Sequence, residues 1–176
     1  MADTQRTLAA VLALLADNTS GAISPQDLRD ALVSVFSNYG TIGLAGGSTA
    51  QTGISATPAK VTGFATDGEA GGCVEADAAN NRLKVTVDGM YLLLCGCSFS
   101  GANSKTYLGE IYAGGAAASF KKLRRKLGTG GDVGDAFAFA FASMSANDYV
   151  EFYISSTDGG STFTPEEMGL LALKIG

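Results

Sequence analysis

The stretch "DAFAFAFASM", residues 135–144, alternates alanine and phenylalanine, with no polar side chain on either face between Asp135 and Ser143. Period-two alternation predicts a strand. A half-exposed strand carries polar residues on its outer side. This one carries none, so both faces need cover. The rings of Phe137, Phe139 and Phe141 are expected in a sandwich core, where each burial is worth about 1.5–3 kcal/mol. The opposite face, Ala138, Ala140 and Ala142, is flat and suits close approach of a sister subunit or of the chain's own linker.

The surrounding sequence has the same character. Strands are expected near "AKVTGFA", "CVEA", "RLKVTV", "MYLLLCGCSFS", "KTYLGEIYA", "ASFKKLRRKL", "AFAFAFASM", "DYVEFYISS" and "GLLALKI". Turns such as "VDGM", "YAGGA", "SAND" and "TDGGST" separate them. Short strands at this spacing, with no long helix among them, predict an antiparallel sandwich or barrel rather than a parallel α/β sheet. With 24 Gly and only 3 Pro in 176 residues, turns and small-residue contacts are favoured. Within "DYVEFYI", Val150, Phe152 and Ile154 form an inner face, and Tyr149, Glu151 and Tyr153 an outer one. Within "MYLLLCGCSFS", Tyr91, Leu93, Cys95, Cys97 and Phe99 share one face. Leu92 and Leu94 begin the other, so this strand is expected to be covered on both sides over half its length.

Before residue 40 the pattern is helical. In "TQRTLAAVLALLADN", Leu8, Val11, Leu12 and Leu15 recur at helical spacing. A second helix is expected over "ISPQDLRDALVSVF". Ser24 caps it, Pro25 occupies its first position, and Asp27 stands where a capping box needs an acid, though Asp is shorter than the usual Glu. Leu28, Leu32, Val35 and Phe36 form its apolar stripe. Two short helices do not make a stable domain, so residues 1–39 are expected to serve as an attachment or oligomerisation segment, the alternative being a helical hairpin docked on the main domain. The Gly, Ser and Thr run over 40–58 predicts a linker or an extended arm. Residues 59–176 form the β-domain.

Several function classes are excluded or disfavoured. The net charge is −5, and the second helix carries Arg29 between Asp27 and Asp30, which argues against nucleic-acid recognition. There is no histidine, which removes the usual nucleophile activation and the commonest metal ligand. "CGC" at Cys95 and Cys97 has neither zinc spacing nor a second pair, and reads as buried apolar thiols. "GTGGDVG" lacks the Lys-Ser/Thr ending of a phosphate loop and reads as a hairpin turn. No catalytic residue, metal or cofactor is expected, and the chain is not expected to be an enzyme. A carboxylate pair for glycoside cleavage needs no fixed spacing, which leaves a glycan-cleaving enzyme as a remote alternative. No run approaches the roughly 20 apolar residues that span a membrane. With no signal peptide evident and an odd number of cysteines, reduced thiols and cytoplasmic folding are expected.

"KKLRRK" concentrates five of the twelve basic residues. As a strand it projects Lys122, Arg124 and Lys126 together. Such a row protects a solvated edge or contacts an anionic partner.

Two regions carry a resemblance. "ADNTSGAIS", "QDLRD" and "SVF", within residues 14–36, resemble an N-terminal segment that recurs in bacteriophage fibre and structural proteins. "DGMYLLLCGCSFSG", "EIYAGG" and "SANDYVEFYISSTDGGSTF" resemble the C1q/TNF-like jelly rolls of phage fibres and head decorations. The family's Gly-Asp before the penultimate strand is Asn147-Asp148 here. The resemblance implies a mainly β, C1q/TNF-like jelly-roll sandwich after a short two-helix segment. It implies a homotrimer whose inner-sheet strands, including the C-terminal one with Leu171, Leu173 and Ile175, face the three-fold axis. It further implies a non-enzymatic virion surface protein assembled in the host cytoplasm: a head fibre, cement or capsid decoration that meets other virion proteins through the N-terminal segment. The alternative is a receptor-binding tail fibre or tail tip that contacts host surface glycan through Tyr149 and Tyr153.

Overall fold

The computed structural model describes Ala10, Ala13 and residues 23–36, 38–130 and 132–176. Among the described residues, helix α1 (Pro25–Phe36) precedes thirteen strands: β1 (Tyr39–Leu44), β2 (Gln51–Ile54), β3 (Ala59–Lys60), β4 (Thr66–Ala70), β5 (Val74–Asp77), β6 (Arg82–Val85), β7 (Gly89–Gly101), β8 (Thr106–Ala113), β9 (Ala116–Ala117), β10 (Leu123–Lys126), β11 (Gly134–Met144), β12 (Tyr149–Ser156) and β13 (Ser161–Lys174). They form two sheets. The first has the order β11-β7-β13-β1-β4, with β2 also on β13. The second has the order β10-β8-β12-β6-β5, with β3 on β12 and β9 on β8. The paired strands run antiparallel. This is the expected sandwich.

Its core lies between the sheets. Tyr91, Leu93, Cys95, Cys97 and Phe99 of β7 point inward, as do Val150, Phe152 and Ile154 of β12. The aromatic centre comes from Phe99, Tyr107 and Phe163, with Phe99 in edge contact with Tyr107 at 5.3 Å. Buried hydroxyls find acceptors: Tyr107 Oη donates to the carbonyl of Thr162, and Tyr91 Oη to that of Val87 at 2.6 Å. Both tyrosines therefore bury their rings without a stranded polar atom.

Four expectations need correction. First, 40–58 is not a linker, because it holds β2 and all of β1 but Tyr39, and β1 runs between β13 and β4. The Gly and Thr residues that suggest flexibility are strand residues here, and Gly40 is packed so closely that a Cβ would meet Val74 Cγ1 at 2.4 Å. Second, "GTGGDVG" does not close a hairpin; it carries the chain from β10 in one sheet to β11 in the other. Third, β13 begins at Ser161, well before "GLLALKI". Pro165 conceals it, and the register shifts between Pro165 and Glu167. The carbonyls of Pro165 and Glu166 instead accept from the amides of Ser48 and Gly47.

The fourth correction concerns β11, whose orientation is the reverse of that expected. Ala138 and Ala140 are 0% exposed in the sandwich core, and Ala142 packs against it. Phe137 and Phe141 point out of the sandwich and are each 54% exposed. The sheets converge at this edge. β11 contacts both β10 and β8 of the opposite sheet, and Lys121 bridges to Phe139. A Cβ on Gly134 would lie 2.9 Å from Arg125 and Leu127. Alanine fills the inward positions because larger side chains do not fit where the layers close together.

The start of α1 follows its sequence signals. Ser24 N donates to Asp27 Oδ2 at 2.9 Å, and Asp27 N donates to Ser24 Oγ at 3.2 Å. Asp thus completes the reciprocal cap despite its length. Leu28 and Leu32 of the expected apolar stripe are exposed, while Asp30 and Ala31 are buried. The side chains of Val35 and Phe36, and the expected first helix through Leu8, Val11, Leu12 and Leu15, lie outside the described residues.

Candidate functional site

The outward face of the first sheet is the candidate site. Strand pairing aligns its side chains in rows. Phe141 stands opposite Leu92, Leu92 opposite Leu173, and Leu173 opposite Tyr39. In the next row Phe139, Leu94, Leu171 and Thr41 are neighbours. The third is Phe137, Gly96, Gly169 and Gly43, and the fourth Asp135, Ser98 and Glu167. Two rows of apolar side chains therefore lead to a glycine floor and then to an acidic rim. Phe137, Phe139 and Phe141 line one margin, the first two stacked at 6.5 Å between ring centroids and the last two edge to face at 6.2 Å. Phe120, 80% exposed, extends that margin with its ring 5.4 Å from Phe139.

The sequence-derived candidates divide on this face. Leu171 and Leu173 belong to it, and Ile175 is exposed just beyond β13. Ala138, Ala140 and Ala142 point the other way and are withdrawn as interface residues. The expected cover over Leu92 and Leu94 is not supplied within the described chain, where Leu94 remains exposed. The face owes most of its apolar character to Phe137, Phe139, Phe141 and Phe120, residues that sequence reasoning assigned elsewhere or passed over. The available signal was the equal apolarity of the two faces of "AFAFAFA".

The other candidates lie apart. Lys122, Arg124 and Lys126 are exposed on the solvent side of β10, with Leu123 and Leu127 buried behind them. Lys122 Nζ is 2.6 Å from Glu110 Oε1, so part of this charge is neutralised within the chain. Tyr149 and Tyr153 lie on the outward face of the second sheet. The Arg82 guanidinium carbon is 3.8 Å from the Tyr149 ring centroid, and Tyr112 stacks on Tyr153 at 4.0 Å. One face of each ring is thus occupied. Arg82 also bonds Asp77 at 2.8 Å, and this bond holds the Asp77 carboxyl below the usual carboxylate range.

The chemistry of catalysis is sparse. Among the described residues no group of three or more Cys, Asp or Glu is placed to hold a metal ion. Cys95 and Cys97 are buried, and burial pushes both thiols up, Cys97 to about 12 with a further lift from the charge of Asp135. Native protein is therefore expected to resist a thiol-specific disulfide reagent at pH 8 and to react at Cys95 and Cys97 once denaturant is added. Absorbance of the released thiolate measures both. The raised folded pKa also fixes a sign. The native thiols keep their protons where unfolded thiols, with pKa about 8.5, lose theirs. Stability is therefore undiminished below pH 8.5 and falls above it, by up to about 1.4 kcal/mol per pH unit for each thiol. Thermal melts of the wild type and of Cys97→Ala across pH 8–10 read this, with the shallower decline expected for the variant.

No protein-family profile matches the chain, and no curated protein does. Solved structures do. Eiger TNF from S. frugiperda is 12% identical, with 79% of this chain and 94% of that one covered, at a TM-score of 0.55. Murine APRIL at pH 5.0 is 12% identical over 78% of this chain and 99% of that one, at 0.49. The globular domain of zebrafish complement 1qA protein is 8% identical over 77% and 96%, at 0.43. At such identities the likeness is one of architecture, and by the first of these matches the chain has the TNF-like jelly-roll fold.

Proposed function

We propose that this protein is a non-enzymatic structural component of a bacteriophage virion, a homotrimer that decorates or projects from the capsid. The observation that carries the assembly is the apolar outward face of the first sheet. Monomers rarely leave so continuous a patch to water. Burying a half-exposed Phe or Leu returns roughly 1 kcal/mol, and three copies closing around an axis bury the face of each. The virion assignment rests on the "ADNTSGAIS", "QDLRD" and "SVF" resemblance. α1, with Leu28 and Leu32 exposed, supplies an apolar surface for attachment to other virion proteins. The tail-tip alternative needs open aromatic rings for glycan, and the cover over Tyr149 and Tyr153 disfavours it.

Two measurements test this. Native mass spectrometry of the full chain should give three copies, and a stable monomer at micromolar concentration would overturn the trimer. Electron microscopy of antibody-labelled particles should place tens to hundreds of copies on the head. A few copies at the tail would favour the receptor-binding alternative, and absence from particles would remove the virion assignment.

A further inference from the structure

Gly43, Gly169 and Gly96 stand side by side on three adjacent strands. None adopts a positive φ. A Cβ on Gly96 or Gly169 would meet nothing within 4 Å, and one on Gly43 would make an ordinary contact with a carbonyl. Glycine weakens a strand interior, and neither backbone geometry nor space within the chain calls for it here. Gly96 and Gly169 lie in the floor of a shallow depression bordered by Leu44, Phe137, Asp135 and Glu167, and Gly43 continues the row on the next strand. The carboxylates of Asp135 and Glu167 have no hydrogen-bond or ion-pair partner among the described residues.

The free margin of β11 carries the complementary features. Lys121 exchanges two backbone hydrogen bonds with Phe139, each 3.0 Å, which pins the preceding Phe120 beside the sheet. Phe120 is the most exposed large apolar residue described. Lys121 Nζ stands 5.5 Å from the Phe137 ring centroid and pairs with no carboxylate among the described residues. The face therefore has an aromatic, cationic corner at one margin and an uncluttered floor with free carboxylates nearer its middle.

We propose that copies of this chain meet head to tail, the Phe120–Lys121 corner of one seated on the Gly43–Gly169–Gly96 floor of the next, with Lys121 facing Glu167. The occupant is a second copy because corner and floor are complementary in charge, the Lys121 ammonium on one and the Asp135 and Glu167 carboxylates on the other. A repeated unlike contact closes into a ring when the rotation permits, and three copies is the ring of the trimer reading, on which this inference rests. The glycines keep the floor low enough for the neighbour's ring to lie on it.

The test compares trimer dissociation by native mass spectrometry and sedimentation for full-length variants. Phe120→Ser, on an exposed loop, should weaken each contact more than about tenfold. Gly169→Leu, pointing into open space, should weaken it at least about a hundredfold with an unchanged far-ultraviolet circular dichroism spectrum. Lys121→Glu should cost about fivefold, and the double exchange Lys121→Glu with Glu167→Lys should recover most of that loss. A wild-type trimer whose Phe120→Ser form dissociates like wild type overturns the corner-and-floor contact and leaves the trimer standing. So does a charge exchange without recovery. A monomeric wild type overturns both.

Discussion

Phe139→Glu yields a folded monomer. Phe139 sits in the middle of the outward Phe ridge, paired with Leu94 and beyond it Leu171. Its side chain leaves the sandwich core untouched, so the far-ultraviolet spectrum and the cooperativity of melting should match those of wild type. In the proposed trimer the substitution would put one carboxylate per chain into a desolvated apolar surface. An unpaired buried charge costs several kcal/mol, and a trimer would bury three of them. The trimer dissociation constant should rise by more than about a thousandfold, which at micromolar concentration leaves monomer. Sedimentation velocity reads this directly. A Phe139→Glu protein that still sediments as a trimer would remove this face from the interface, whatever the oligomeric state.

The same row shows what the sequence could and could not specify. Alternation placed β7, β11 and β12 as strands, and for β12 it also separated core from surface, because Tyr149, Glu151 and Tyr153 mark a polar side. β11 has no such mark. Both its faces are apolar, and choosing the larger side chains for the core follows the usual energetics of burial. What overrules it is tertiary. β11 is the edge strand where the two sheets meet, and Arg125 of β10 and Leu127 just beyond it close on its first residue, Gly134. The space left inside admits a methyl group and excludes a ring. No local pattern encodes that distance.

Other differences have similar causes. β1 is read as linker because Gly40, Thr41 and Gly43 look flexible, yet Gly40 is glycine because Val74 crowds it. β13 is read as half its length because Pro165 interrupts the pattern at a bulge. Chemistry-bearing residue types were easier to interpret. The absence of histidine and the inward side of Cys95 and Cys97 follow from composition and alternation alone. The candidate interface was legible only in part. Leu171 and Leu173 were found through the C-terminal strand, whereas Phe137, Phe139, Phe141 and the glycine floor become visible only when β11, β7, β13 and β1 are laid side by side.

The strongest test of that geometry is Ala140→Arg. If Ala140 faced a sister subunit, arginine there would block assembly and spare the fold. In the structure Ala140 is 0% exposed, opposite Leu93 and inside the converging sheets. Arginine would need room that the packed layers do not have, and its guanidinium would be buried without a partner. Overpacking costs about 1–3 kcal/mol and an uncompensated buried charge about 3–5 kcal/mol more, together comparable with the whole stability of an ordinary domain of about 5–15 kcal/mol. The expected result is loss of cooperative unfolding and of soluble protein. Ala140→Gly should fold and lose only about 1 kcal/mol. Phe139→Arg, one position along the same strand, should fold fully and fail only to assemble. Because side chains alternate strictly along a strand, a one-residue change of register exchanges these two outcomes. A soluble, cooperatively melting monomer from Ala140→Arg, together with a misfolded Phe139→Arg, would turn β11 over and with it the whole assignment of core and interface.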